Sequence, residues 1–239
     1  EGVAQMSCNP AIGGTAKGHL VKEIDALGGE MGKAIDATGI QFRVLNRKKG
    51  PAVWSSRAQA DSQRYARRMK QTVESAPMLH VKQGMAERLL IGDGGCLGIV
   101  TETGEEILAG ATVLTTGTFL GGVIHIGAQP QPAGRAGDRP SVGLSNSLKS
   151  NGFRTGRMKT GTVPRLDRKT IDFNGLEEQK GDQPTPFFSF FHRATPPQQI
   201  SCFVTYTNER THDVIRNNIN KSAMYSGNIT GVGPRYCPC

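Results

Sequence analysis

No apolar run of this chain reaches membrane-spanning length, and no secretory signal is visible. Cysteine is sparse, with five residues scattered along the chain. An odd, dispersed set argues against a disulfide framework and for a reducing compartment. Cys237-Pro238-Cys239 is the only close pair, and no His or further Cys lies near enough in sequence to suggest a zinc site. Acidic residues are short, 20 Asp and Glu against 29 Lys and Arg, leaving a formal net charge of +9. That excess favours nucleic acid or another polyanion and is silent on fold. Two phosphate-binding signatures are also missing. Gly13 to Gly18 lacks a preceding strand and the Gly-x-Gly-x-x-Gly spacing, and no Gly-Lys-Ser/Thr follows at the P-loop interval. A chain of 239 residues can bury one substantial core or two modest ones. It opens on Glu1 rather than Met, as a fragment or processed product would.

What is present is organised around Met6-Ser7-Cys8-Asn9-Pro10-Ala11-Ile12-Gly13-Gly14 and the helix that follows, His19 to Leu27. Leu20, Val21, Ile24 and Leu27 recur at helical spacing, and Gly28-Gly29 stops the helix. Asn9-Pro10 sets a turn, while Gly13, Gly14 and Gly18 remove side chains where backbone must approach something closely. A run of free N–H groups entering a helix suits an anionic or polarisable partner. Cys8 lies beside this turn and Lys17 is close in sequence. The same pattern also suits a tight connection with a buried cysteine.

Downstream, a short strand is expected at Gln41 to Leu45, then a concentration of cations: Arg43, Arg47, Lys48, Lys49, Arg57, Arg64, Arg67, Arg68 and Lys70, opposed only by Asp61. Ser56 to Glu74 reads as a helix with Ala58, Tyr65, Met69 and Val73 inward and its arginines on another face. That face is either an ordinary solvated one or a track for phosphates, and the one-sided charge tips the reading to the second. Strand periodicity begins at Leu79 to Val81 and Met85 to Ile91, with a hairpin turn at Gly92-Asp93-Gly94-Gly95. Leu97 to Glu102 and Glu106 to Leu108 form a second hairpin, and Ala111 to Gly117 reads as a buried strand. A strand, a small meander and a strand closing on Thr-Gly is the layout of two-dinucleotide-binding flavoproteins. Gly121 to Arg139 reads as a loop containing His125 and Arg135. A helix is expected to open at Asp138 to Ser141, capped by Asp138, and to end at Asn151-Gly152. Phe153 to Arg157, Ile171 to Phe173 and Ser201 to Thr207 look extended. Phe187, Phe188, Phe190 and Phe191 read as local core rather than a base-stacking platform. Asn208 is expected to cap a helix from Glu209 to Ile219 with Val214, Ile215 and Ile219 inward and His212 on the wet side.

Residues spread over the whole chain closely resemble the GidA/MnmG family of flavin-dependent tRNA-modification enzymes. They include Ser7 to Gly14, Lys17 to Gly29, Gly39 to Phe42, Lys49 to Val53, Arg57 to Asp61, Thr116 to Leu120, Ile124 to Gly127, Gly134 to Asp138, Lys159 to Thr162 and Gly233 to Pro238, in family order. The resemblance implies an α/β fold: a partial FAD/NAD(P)-binding domain, glutathione-reductase-like and Rossmann-type, with an inserted α+β domain. On that basis residues 1–155 are part of the FAD-binding domain, 156–232 an inserted nicotinamide-cofactor-binding domain, and 233–239 a return segment. The family's Gly-x-Gly-x-x-Gly strand–loop is expected before Glu1, and its remaining flavin half and helical C-terminal region beyond Cys239. Without them this polypeptide is expected to hold FAD weakly. Cys239 stands where the family usually has Ser.

The chemistry implied by the resemblance uses FAD reduced by NADH and a one-carbon unit from methylenetetrahydrofolate, delivered to C5 of the wobble uridine of tRNA, with glycine or ammonium completing the carboxymethylaminomethyl or aminomethyl group. An MnmE-type GTPase shares the work, and the full-length family is expected to be homodimeric. Because C5 of uridine is a poor nucleophile, a thiolate adding at C6 is apt, and Cys8 and Cys237 are the candidates, expected to meet at the flavin. The resemblance assigns cofactor contacts to Asn9, Pro10, Gly13, Gly14, Lys17, Ala86 (at the adenine), Thr116, Gly117, Ser141, Gly233, Pro234, Arg235 and Tyr236. Ser141 is otherwise a first-turn helix residue, and Arg235 either holds an anionic group or braces its loop. Arg47, Lys48, Lys49, Arg57, Arg64, Arg67 and Arg68 are the expected RNA contacts. The expected compartment is the cytoplasm, or the mitochondrial matrix. The competing reading is a truncated, inactive relative serving as a structural or RNA-contacting subunit of a larger assembly.

Overall fold

The strand at Ser55–Ala60 (β3, after β1 and β2) is the centre of a three-stranded sheet, flanked by β1, Ala11–Gly13, and β2, Gly39–Leu45, in the order β1-β3-β2. Both neighbours run antiparallel to it, and Ile12, Ala58 and Phe42 stand in one row across the sheet. In this computed structural model residues 2–127, 129–135, 137–159, 163–191, 195, 197–229, 231 and 233 are described. A strand does therefore precede the glycine turn, although it belongs to an antiparallel ladder. Helices α1, Lys17–Ala26, and α2, Met31–Thr38, follow β1 in sequence, and α3, Ser62–Ser75, follows β3. Val21, Ala34, Ile35, Phe42, Ala58, Ala60, Tyr65 and Phe188 make one buried cluster. The buried stripe of α1 is Gly18, Val21 and Asp25, whereas Leu20, Ile24 and Leu27 are exposed. Three of the four apolar residues taken from periodicity thus face solvent.

The helix expected from Ser56 begins only at Ser62. Hydrogen bonds from β1 and β2 hold residues 55–60 on both sides, and this tertiary pairing overrides a pattern that reads as helical locally. Asp61 then caps α3, its carboxylate accepting the N–H groups of Gln63 at 3.1 Å and Arg64 at 3.0 Å.

The chain folds into two compact units, the first from Glu1–Val81 and Gly161–Tyr206, the second from Lys82–Thr160 and Thr207–Cys237. The second opens with β4, Ala86–Gly92, and β5, Gly95–Thr101, joined at the expected Gly92 to Gly95 turn, and β6, Glu106–Leu108, completes the order β4-β5-β6. Leu79 to Val81 lies outside any strand. Ala111 to Gly117 is likewise irregular and exposed, Val113 at 84%. A strand exists only where a neighbour takes its N–H and C=O groups, and among the described residues no segment pairs with it. The loop expected over Gly121 to Arg139 contains a hairpin, β7, Val123–Ile126, against β8, Gln129–Pro132. Helix α4, Gly143–Ser150, starts later than expected; Val142 is its N-cap, and the Asp138 N–H instead closes a turn on the Arg135 carbonyl at 2.7 Å. It packs on β4, with the Leu89 N–H donating to Ser147 Oγ at 3.0 Å, and it ends as expected at Asn151-Gly152. A Cβ at Gly143 would overlap the Glu87 carboxylate, so glycine permits this close approach.

Phe153 to Arg157 and Ile171 to Phe173 form no strand. The chain returns to the first unit with β9, Glu177–Gln179, and β10, Cys202–Val204, paired antiparallel. The span between them follows the free edge of β2. Asp182 and Ile200 donate their N–H groups to the carbonyls of Phe42 and Ile40, both at 2.8 Å. Side chains supply the missing acceptors: Gln199 Oε1 takes the Phe42 N–H at 2.6 Å and Asp182 Oδ2 the Val44 N–H at 2.7 Å. The strand edge is covered, with no exposed ladder left for another chain. Phe188 is fully buried and Phe187 meets Phe42 edge to face with centroids 5.7 Å apart, but Phe190 and Phe191 are exposed. In the second unit α5, Glu209–Asn218, is capped by Asn208 as expected. Val214, Ile215 and Ile219 are nonetheless exposed, because nothing among the described residues packs on that stripe.

Candidate functional site

Cys8 is half-buried at the turn entering β1 and forms no disulfide. Arg165 donates to its carbonyl at 2.8 Å. Three of the N–H groups in the run expected to be free here are engaged. The Gly14 N–H bonds the Ser56 carbonyl at 2.8 Å, and those of Lys17 and Gly18 bond the Gly14 carbonyl at 3.0 and 2.8 Å. The turn is thereby knitted to β3. Gly13 has φ 81°, and a Cβ there would strike the Ser56 carbonyl and the Phe188 ring, so sheet packing already demands this glycine.

The sheet face opposite the core row carries the polar chemistry. Arg57 on β3 faces Arg43 on β2 and Gly13 on β1. Two guanidinium groups directly opposite on neighbouring strands repel unless an acceptor comes between them. Arg43 Nε is buried without a hydrogen-bond partner. Arg57 donates to Gln59 at 3.5 Å and Gln59 to Asn9 at 3.3 Å, so Asn9 and Arg57 are joined through one side chain. Pro10 and the exposed Lys17 lie on either side of this turn in sequence.

Of the remaining expected cofactor residues, Ala86, Thr116, Gly117, Ser141 and Gly233 lie in the second unit. Ala86 lines a cleft of about 290 Å³ with Ile99, Thr101, Thr103 and Ile107. Thr116 and Gly117 are on the exposed irregular segment. Ser141 makes a parallel bridge to Leu120 and precedes α4, so it is not in that helix's first turn. Cys237, Pro234, Arg235 and Tyr236 lie outside the described residues, and so does the expected meeting of Cys8 with Cys237.

Among the expected RNA contacts, Arg47 is paired with Asp182 at 3.0 Å, and Lys48 and Lys49 are exposed. Arg57 belongs to the sheet, not to α3. Arg64, Arg67 and Arg68 gather with Gln71, Ala37 and Thr38 around a pocket of about 220 Å³.

Sequence reasoning missed a polar clamp. Asp36, buried at the core, accepts the N–H groups of Phe188 and Ser189, each at 2.8 Å, and Asp25 accepts that of Phe190 at 2.7 Å. Lys22 donates to the Phe187 carbonyl at 3.2 Å, with its ammonium 4.9 Å from the Phe190 ring centroid. Burial pushes the Asp36 carboxyl above its usual range against the pull of its two N–H partners, and burial pushes the Lys22 ammonium down. The available signal was two aspartates at interior helix positions, Asp25 one turn beyond Val21 and Asp36 beside Ile35.

A family model described as glucose inhibited division protein A matches residues 1–239. The chain belongs to the GidA family. It is 58% identical over 238 residues to a protein of Geobacter sulfurreducens named tRNA uridine 5-carboxymethylaminomethyl modification enzyme MnmG. It is 59% identical over 238 residues to the protein of the same name from Geotalea uraniireducens. All of this chain is matched in each case, and it spans 38% of those relatives' length. The form I crystal structure of Aquifex aeolicus GidA superposes with a TM-score of 0.87 at 50% identity, over 98% of this chain and 40% of that one. The mixed α/β fold is thus that of GidA over the portion covered. Among the described residues no helix is long and apolar enough to cross a membrane.

Proposed function

We propose that this chain is the central part of an FAD-dependent enzyme that installs a carboxymethylaminomethyl or aminomethyl group at C5 of the wobble uridine of tRNA. The observation that carries the reading is its 58% identity, over all of its length, to a protein named for that modification. In this reading residues 1–155 contribute to a Rossmann-type FAD-binding domain, 156–232, a stretch shared between the two compact units, to an inserted domain for NADH, and 233–239 return to the flavin. Methylenetetrahydrofolate is the one-carbon donor, an MnmE-type GTPase the partner, a homodimer the full-length assembly and the cytoplasm the compartment.

The residues at the glycine turn suit a flavin. Arg57, Arg43 with its unpartnered Nε, Asn9 and Gln59 form a donor-rich, cationic face beside Gly13 and Gly14. Such donors match the carbonyl-bearing end of a flavin ring and favour extra negative charge there. When bound, FAD supplies reversible two-electron redox chemistry. Asn9, Gly14 and Arg57 would hold its ring. Cys8 or Cys237 adds its sulfur to C6 of uridine, moving electron density to C5 so that this carbon can attack the one-carbon unit. Expulsion of the thiolate after loss of the C5 proton restores the base.

Two measurements test the reading. Titration with FAD, followed by quenching of flavin fluorescence, is expected to show weak binding that Arg57→Gln abolishes; no response from the native chain removes the flavin assignment here. Nucleoside mass spectrometry of cells depending on the gene for this protein is expected to show loss of wobble modification with Cys8→Ser, and full modification would take Cys8 out of the mechanism.

A further inference from the structure

On α3, Arg64, Arg67, Arg68 and Gln71 follow the i, i+3, i+4, i+7 pattern and share one side of the helix. That side meets the end of α2, where Ala37 and Thr38 complete the pocket of about 220 Å³. Tyr65, only 4% exposed, anchors the helix in the core and fixes how it presents this side.

The charge in this pocket is uncompensated. None of Arg64, Arg67 and Arg68 takes part in an ion pair among the described residues. The nearest carboxylate in sequence, Asp61, is occupied by the backbone N–H groups it caps. Asp36 is likewise engaged, by Phe188 and Ser189. Thr38 Oγ1 donates to the Ala34 carbonyl at 2.7 Å, so the hydroxyl's lone pairs remain its only further capacity. Arg68 Nε is buried with no hydrogen-bond partner. A buried, unpaired donor on a cation costs free energy unless an acceptor arrives from outside the chain.

Size narrows what that acceptor is. The pocket falls short of the roughly 300–1,000 Å³ of clefts that enclose whole small molecules. It has room for one tetrahedral anion and some of its water. The planar fork of arginine matches the oxygens of a phosphate, and three arginines converge here while the same unit carries exposed Lys48 and Lys49. A strand with a phosphate at regular intervals engages such a surface at several points.

We propose that this pocket seats a single backbone phosphate of RNA, with Arg68 at its floor and Arg64 and Arg67 at its rim. The proposal rests on tRNA being the substrate. It adds a defined point of backbone contact, which sets where the RNA lies without reading its sequence.

Binding of a tRNA transcript to the purified chain, by fluorescence anisotropy over a range of salt concentrations, tests the site. Arg68→Gln is expected to weaken binding about 5–10-fold and to lower the slope of log K against log salt by about one. Arg64→Gln/Arg67→Gln, at exposed positions that leave the fold intact, is expected to weaken it further. Lys149→Gln on α4 removes one charge elsewhere and is expected to change affinity less than about two-fold. In parallel, the Arg68 Nε–H resonance is followed with tRNA and with inorganic phosphate. A shift with tRNA supports the proposal. A shift with phosphate alone, while tRNA does not bind, leaves a free-anion site and overturns both the RNA contact and tRNA binding by this chain. Native affinity and slope in both arginine variants overturn the site while tRNA recognition stands. No binding of tRNA and no shift with phosphate overturn the two together.

Discussion

Asp36 shows how much one side chain can hold. Its two oxygens accept the adjacent N–H groups of Phe188 and Ser189 from a segment more than 150 positions away. Asp36→Ala removes the acceptor of the buried Phe188 N–H, at about 1–3 kcal/mol, as well as a bond to the half-buried Ser189, and is expected to lower the urea midpoint with little change in slope. The pH dependence has a definite sign. Burial raises this carboxyl above the ordinary 3.8, so the folded state binds its proton more tightly than the unfolded chain does. Its contribution is most favourable below 3.8 and is lost as pH rises through the elevated value. The stability of the native chain relative to Asp36→Asn should therefore fall as pH rises from 3.8 through the elevated value and level off above it; a difference that grows with pH contradicts the assignment. At Gly18 a Cβ would sit 2.5 Å from Ser55 Oγ and 2.6 Å from the Ser56 carbonyl. Gly18→Ala is accordingly expected to destabilise by about 1–3 kcal/mol in thermal unfolding, despite alanine's better helix propensity.

Elements were legible where the chain's own punctuation decides them. The Gly92 to Gly95 turn, the Asn208 cap and the Asn151-Gly152 stop all act through local geometry, and each is found where expected. Partnering is what local patterns cannot supply. Residues 56–60 read as the first turns of a helix and are a central strand because β1 and β2 flank them. Ala111 to Gly117 and the Val214, Ile215, Ile219 stripe read as buried and are exposed, since burial depends on what covers a face. The site was legible to the same degree. The cysteine turn and the basic helix were evident, but Arg43 facing Arg57 required the strand register, and Asp25 and Asp36 required the returning segment. The Asp61 cap separates β3 from α3, so Asp61→Ala is expected to cost about 0.5–2 kcal/mol and to reduce helical circular dichroism. Unchanged helicity and stability would mean that packing of Tyr65 alone sets the start of α3.

At the scale of the chain, the first unit is built from two stretches, Glu1–Val81 and Gly161–Tyr206, with the sequence of the second unit between them. Asp25, Asp36, Asp182 and Gln199 bind these stretches together. A break between them should leave the first unit associated. The exposed, unpaired segment Ala111 to Gly117 is a natural place for protease attack. Limited proteolysis there is expected to yield two fragments on a denaturing gel that elute together under native conditions. Prompt separation would show that the clamp is too weak to hold without covalent continuity.

The clamp also imposes an order on synthesis. Asp36 leaves the ribosome 152 residues ahead of Phe188, a gap of about 8–30 s at roughly 5–20 residues per second. Throughout that interval the N–H groups that Asp25 and Asp36 will accept do not yet exist, so the clamp closes only after residues 188–190 have been made.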